Sequence, residues 1–274
     1  MIGQKKLLEK FNNVDNIPKA TILLGRTGSG KHTFINAVVN KLGISEVITI
    51  NSILSPEIKD KIYTYPNLCV IIFNVGKELQ VKQNIAIQNS ILKLLEEPPI
   101  NARIFVLAEN ESYLLDTLLN RCNMLTLEPY TADELRQIAK ENNFVTTLDE
   151  HTDDKLKYIS SPAELLVFPT NEKLTQMENL VDTIFSSICK ANISNTLSIS
   201  KKINFNDDRE LYDLNIFLNI FEIKLLDIIK YNYEDKYLVA YNELNELKSN
   251  INRFNINKTN LFEKFLLNLK TILV

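Results

Sequence analysis

Long apolar runs are missing from this chain. None approaches the roughly 20 residues that a membrane span requires, and the opening Met1-Ile2-Gly3-Gln4-Lys5-Lys6 lacks the apolar core of a secretory signal. Cytoplasm is therefore the expected location. A basic excess is missing too. Lysine and arginine total 31 against 34 aspartates and glutamates, for a formal net charge of −3. That balance argues against autonomous tight binding to nucleic acid, so any DNA contact has to come from a local patch or from partners. Cysteine is scarce: Cys69, Cys122 and Cys189 lie far apart with no C-x-x-C spacing, which supports neither a disulfide framework nor a zinc site. Internal repeats and low-complexity linkers are absent as well. What remains, 45% apolar and 24% charged over 274 residues, is the composition of an ordinary soluble protein with room for two or three domains.

Apolar runs rich in Ile, Val and Leu recur through the first half: Ala20–Leu24, Glu46–Ile50, Leu68–Phe73, Arg103–Ala108 and Met124–Leu127. Their lack of alternation is that of strands covered on both faces. Between them stand helical patterns at Lys31–Leu42, Pro56–Lys61, Asn84–Glu96 and Tyr113–Leu119, preceded by an amphipathic helix carrying Leu7, Leu8 and Phe11. Strand and helix in alternation predict a parallel, doubly wound sheet. After Glu128-Pro129 the strands stop. Thr131-Ala132-Asp133-Glu134 is a capping box opening a helix to about Asn142, and a short helix is expected near Asp153–Ile159. Helical patterns then fill Leu174–Lys190, Asp207–Ile229, Lys236–Asn252 and Thr259–Leu273, with a loop at Asn192–Asn206. The expected division is an α/β domain over 1–128, a small helical module over 129–170 and an all-α domain over 171–274. His151 reads as solvent-facing in a polar loop, and Tyr231, Tyr233, Tyr237 and Tyr241 read as helix packing and surface.

Chemistry concentrates at Gly25–Thr33, which reads G-R-T-G-S-G-K-H-T. It follows an expected strand and opens an expected helix, the context of a phosphate-cradling loop. Gly25, Gly28 and Gly30 let the backbone turn and aim N–H groups inward around Ser29, and Lys31 reaches terminal phosphates as a point charge. The pattern G-x-x-x-x-G-K-[ST] asks for a magnesium-binding hydroxyl after the lysine. Here His32 occupies that place, and Thr33 is one residue late, about 100° further round a helix. A second gap is at the end of the third strand, Ile71-Ile72-Phe73-Asn74-Val75-Gly76, where an ATPase needs an acid to organise the metal. Glu78 is the nearest carboxylate.

Two further segments complete the pattern. In Gln88–Pro99, residues Ile87, Ile91, Leu94 and Leu95 form one apolar helix face. Prolines then end the helix, and the acids Glu96 and Glu97 read as solvated. Asn120-Arg121-Cys122 places an arginine between a helix end and the next strand. That is ordinarily a surface cation. The sharper reading is a positioned arginine aimed at a neighbour's nucleotide.

Together these segments resemble the clamp-loader branch of the AAA+ ATPases, and within it the delta-prime subunits of bacterial DNA polymerase III clamp loaders. The resemblance is carried by Ile2-Gly3-Gln4, the loop Gly25–Thr33, Gln88-Asn89 through Leu95-Glu96-Glu97-Pro98-Pro99, the Glu109-Asn110 turn, and Asn120-Arg121-Cys122 in place of the family's S-R-C. It implies a RecA-like P-loop α/β domain, a small helical lid and a helical collar that joins subunits into a ring. The implied role is opening a sliding clamp and loading it on primed DNA, with Arg121 acting in trans on ATP held by an adjacent subunit. Implied partners are the other clamp-loader subunits, the sliding clamp, and primer-template DNA through the assembled complex. Delta-prime-like subunits are typically non-hydrolysing stators, and several departures from active relatives point the same way. His32 and the missing strand-end acid are two. Ala108 stands where the family often has a polar sensor, and Ser160-Ser161-Pro162-Ala163-Glu164 carries Glu164 where the second sensor's arginine belongs. The zinc-binding cysteines of many relatives are missing. The expectation is a subunit that requires no cofactor and no metal, with ATP or ADP binding at Gly25, Gly28, Ser29, Gly30, Lys31, His32 and Thr33 left open. The alternatives are an active AAA+ ATPase, using Thr33 or a water, and a module that holds nucleotide without cleaving it.

Overall fold

The computed structural model describes residues 1–76, 81–142, 155–167, 169–189, 210–232, 234–251 and 257–273. Glu78, His151, Tyr233 and the 192–206 loop lie outside the described residues. The chain divides into two compact units, Met1–Glu134 and Leu135–Val274.

The first unit holds five parallel strands: β1 (Ala20–Leu24), β2 (Glu46–Ile50), β3 (Cys69–Asn74), β4 (Ala102–Ala108) and β5 (Asn123–Thr126), in the order β2-β3-β4-β1-β5. Helices α1 (Lys5–Glu9), α2 (Lys31–Leu42), α3 (Pro56–Thr64), α4 (Val81–Glu96) and α5 (Asp116–Leu119) cover it. Each parallel step needs a crossover, and the helices supply it. Successive side chains of a strand point to opposite faces. Ile22, Ile71, Phe73, Ile104 and Val106 pack with Ile87, Ile91, Leu94 and Leu95 of α4 on one face. On the other, Leu23, Val70, Ile72 and Phe105 pack with Phe34, Ile35 and Val38 of α2 and with Phe11. The central strands β1, β3 and β4 are thus dry on both sides, as expected. The edge strands are not: β2 alternates between half-buried and exposed positions up to Ile50, and β5 is exposed at Asn123, Met124 and Thr126. An apolar run at a sheet edge needs only one covered face.

One expected helix is broken. Asn110 caps a 3-10 turn at Glu111–Tyr113 by accepting from the Ser112 N–H at 3.1 Å, and α5 starts only at Asp116. The buried amide of Gln88 separates the two. It donates to the Tyr113 carbonyl at 2.8 Å and accepts from the Leu115 N–H at 2.7 Å. These bonds satisfy backbone groups that a continuous helix would have used internally.

In the second unit, α7 (Asn171–Cys189), α8 (Glu210–Tyr231), α9 (Asp235–Asn250) and α10 (Lys258–Leu273) are the all-α C-terminal region that was expected. Phe185, Phe217, Phe221, Phe262 and Phe265 form its aromatic core, with the Phe185 and Phe221 rings stacked at 4.6 Å. The helix α6 (Ala132–Glu141) spans the division, opened by the capping box: Thr131 Oγ1 accepts from the Glu134 N–H at 3.2 Å and Glu134 Oε2 from the Thr131 N–H at 2.9 Å. Tyr231 is exposed and Tyr241 donates to Glu222 at 3.1 Å, a surface and a packing role respectively. No helix among the described residues is long and apolar enough to cross a membrane.

Candidate functional site

The loop after β1 is built as a phosphate loop is built. The strand is buried at all five positions, so its end is fixed, and the Gly25 N–H extends the sheet by donating to the Ala108 carbonyl at 3.2 Å. Gly28 and Gly30 take φ of 75° and 81°, which side chains disfavour. A Cβ at Gly25 would lie 2.6 Å from Ser29 Oγ, itself buried, so this position is closed to larger residues for want of space. Below the loop the Tyr130 hydroxyl donates to the Ser29 carbonyl at 3.1 Å, and burial pushes the Tyr130 phenol up from its ordinary pKa. Gln4 ties the N-terminus to the same corner. Its amide donates to the Glu128 carbonyl at 2.7 Å and accepts from the Glu128 N–H at 3.0 Å.

A cavity of about 650 Å³ opens at the carboxyl ends of the strands, lined by Gly28, Gly30, Lys31, His32 and Thr33 and by Asn51, Asn74, Ala108 and Glu109. Sheets of this kind bind ligands at such a place. The structure therefore brings the expected loop residues together round one space, with Gly25 and Ser29 packed behind it. Lys31 turns back on its own loop, donating to the carbonyls of Gly25 at 2.5 Å and Arg26 at 3.0 Å. At the end of β3, Asn74 donates to Asn51 at 2.6 Å, so the strand-end position holds an amide pair.

One feature of the cavity was not read from the sequence. Glu109, directly after β4, accepts a hydrogen bond from the Thr27 hydroxyl of the loop. The space is therefore not free of acids, as the missing acid at β3 had suggested: a carboxylate enters from β4 instead. Only its place after a central strand signalled this. The donor set, tested for Mg–ATP, fits in part. Positive-φ glycines, Lys31 and the N-terminus of α2 suit phosphate oxygens. For a divalent cation the set is poor, with an imidazole in the hydroxyl position and amides at β3, and no group of three or more His, Cys, Asp or Glu suited to a metal occurs among the described residues.

Arg121 lies elsewhere in the first unit, just past α5. Its Nε and Nη2 donate to Glu96 Oε1 at 3.0 and 2.6 Å, and its Nη1 donates to the Thr117 carbonyl at 2.6 Å. Glu96, expected to be merely solvated, is the arginine's partner. The Arg121 side chain keeps 34% of its surface exposed and Glu96 47%. Next to it the half-buried Cys122 thiol is pushed up to about 11 by burial, against the pull of the Arg121 charge. Cys69 is buried and carries a free thiol. In the second unit, Glu164 is buried and closes its own turn, accepting from the Ser160 N–H at 2.7 Å and from the Ser160 hydroxyl at 3.0 Å. It serves a local structural purpose in the place where the resemblance implies a sensor arginine.

Residues 54–131 match the family described as DNA polymerase III, delta subunit. Among solved structures the chain is similar to the Thermotoga maritima RuvB Holliday junction branch migration motor, at 16% identity over 85% of this chain and 77% of that one, with a TM-score of 0.48. A threonine-to-valine variant of Thermotoga maritima RuvB is similar at 18% identity over 85% and 77% of the two chains, with a TM-score of 0.46. No curated protein matches the chain. The matched stretch runs from just before α3 through α4, β4 and Arg121 and does not include the phosphate loop. Residues 54–131, which hold Gln88–Pro99 and Asn120-Arg121-Cys122, are thus similar to the family of DNA polymerase III delta subunits, and a clamp-loader subunit is the kind of protein this stretch is similar to.

Proposed function

We propose that this protein is a non-hydrolysing subunit of a DNA polymerase sliding-clamp loader that supplies Arg121 to ATP bound by a neighbouring subunit. The observation that carries this reading is that Arg121 stands partly exposed just past α5, within the stretch similar to the DNA polymerase III delta-subunit family. The cavity beside that loop supports it from the other side, since His32 and Asn74 occupy the positions where a magnesium hydroxyl and an acid are needed. A planar, permanently charged guanidinium suits the charge that spreads over a transferring phosphoryl group, and about a third of this side chain is open to an approaching partner. On this reading the second unit supplies a helical lid over residues 129–170 and a collar over 171–274. The protein works in the cytoplasm, and the sliding clamp and primer-template DNA are met through the assembled complex.

A second reading, nucleotide held without cleavage, is favoured by the intact glycine conformations and the 650 Å³ cavity. Two measurements test the first reading. Capture of the tagged chain from its native lysate is expected to bring down an ATP-hydrolysing companion, and the purified chain alone is expected to release no phosphate from Mg–ATP. Capture without any such companion contradicts the first reading. Magnesium-dependent turnover by the chain alone, abolished by Lys31→Ala, makes it an ATPase.

A further inference from the structure

We infer that Glu96 is the mount of Arg121: a positioning residue that holds the guanidinium in one orientation with its outer N–H groups free for a neighbour's phosphoryl oxygens. The inference rests on the trans role proposed above and adds a residue to it.

A guanidinium has five N–H donors. Glu96 Oε1 takes the Nε–H and one Nη2–H at 3.0 and 2.6 Å, and the Thr117 carbonyl takes one Nη1–H at 2.6 Å. Among the described residues three donors are spent within the chain. Two remain, one on each terminal nitrogen, and those are the donors an incoming oxyanion meets. The pair therefore need not break when a phosphate is engaged, as it would if Glu96 were a lock. An arginine held from both sides also loses less freedom on engagement than a free one.

The mount is itself rigid. Glu96 ends α4, whose Ile87, Ile91, Leu94 and Leu95 are buried against the sheet. Thr117 lies on α5, and the turn that leads into α5 is tied to α4 by the buried Gln88, which bonds the Tyr113 carbonyl and the Leu115 N–H at 2.8 and 2.7 Å. A one-turn helix would otherwise be a poor platform. Glu97, the adjacent acid, is exposed, and the bond it accepts from the Tyr63 hydroxyl at 2.8 Å goes to its backbone carbonyl, a bond that does not depend on the side chain at that position.

The test uses the complex captured with the full-length chain and reads ATP hydrolysis under saturating and limiting Mg–ATP. Glu96→Ala is expected to lower kcat about tenfold with KM within twofold, and Glu96→Gln, which keeps an acceptor oxygen, to stay within threefold of the wild type. The double variant Glu96→Ala/Arg121→Ala is expected to be no worse than Arg121→Ala alone, because residues acting as a unit are not additive. A Glu96→Ala complex that turns over as fast as wild type, or faster, overturns the mount while Arg121→Ala remains impaired. If Arg121→Ala itself is unimpaired, the trans reading fails instead. The mount is then judged on the isolated chain by the ¹⁵N-detected side-chain Nε–H of Arg121. A slowly exchanging, single-rotamer signal lost in Glu96→Ala supports it, and free rotation in the wild type refutes it.

Discussion

Lys31 and Arg121 are both cations near the ends of helices, and they are held by different partners. Lys31 donates to carbonyls of its own loop, with the Glu109 carboxylate lining the same cavity. Arg121 is held by a carboxylate and a carbonyl from two helices. Glu109 lines the cavity beside the loop, and an acid next to an anion cradle is expected to oppose phosphate and weaken its binding there. At a separation of several ångströms and an intermediate dielectric that opposition is worth about a kcal/mol or more. In titration calorimetry Glu109→Gln is expected to bind ADP about tenfold more tightly than the wild type, and equal affinities contradict that role. Burial, the largest influence on Cys122, holds its thiol at about 11, so at pH 8 only about a thousandth of it is thiolate. Its alkylation by iodoacetamide is expected to climb roughly tenfold per pH unit from 8 to 10. A rise of less than about threefold between pH 9 and 10, which a thiol of ordinary pKa gives, contradicts the shift.

Among the elements, the strands were the most legible in the sequence. β1 and β2 have the bounds their apolar runs suggested, and β3, β4 and β5 differ by no more than a residue at either end. Such runs are read easily because burial on both faces leaves no polar position to blur them. Coverage of the edges was misread, since the same residue types serve a strand with one dry face. The α5 region failed for another reason: Gln88, 27 residues upstream of Leu115, breaks a helix that local pattern favours, and no local rule sees that distance. The capping box succeeded because it is local. Thr131→Ala is expected to lower the unfolding free energy by about 1 kcal/mol in urea titration. A change below about 0.3 kcal/mol would show that tertiary packing alone holds the start of α6.

At the scale of the whole molecule, a loop shaped as a phosphate cradle and an arginine that we propose serves a neighbour's phosphate occur in one chain. The loop, with its glycines, and the position of Arg121 were legible from residue type and spacing. The partners of Arg121 and the acid of the cavity were not, because each is brought in from a distant element: Glu96 from α4, Glu109 from the end of β4. On the proposed reading the chain contributes to turnover through Arg121 and not through Lys31. Steady-state hydrolysis of Mg–ATP by the captured complex, compared for Lys31→Ala and Arg121→Ala in this chain alone, tests that asymmetry most directly. Turnover within twofold of wild type is expected for Lys31→Ala, and a fall of about a thousandfold or more for Arg121→Ala at the affected site, on the order of what a trans arginine supplies. Loss of turnover with Lys31→Ala and its retention with Arg121→Ala would contradict it.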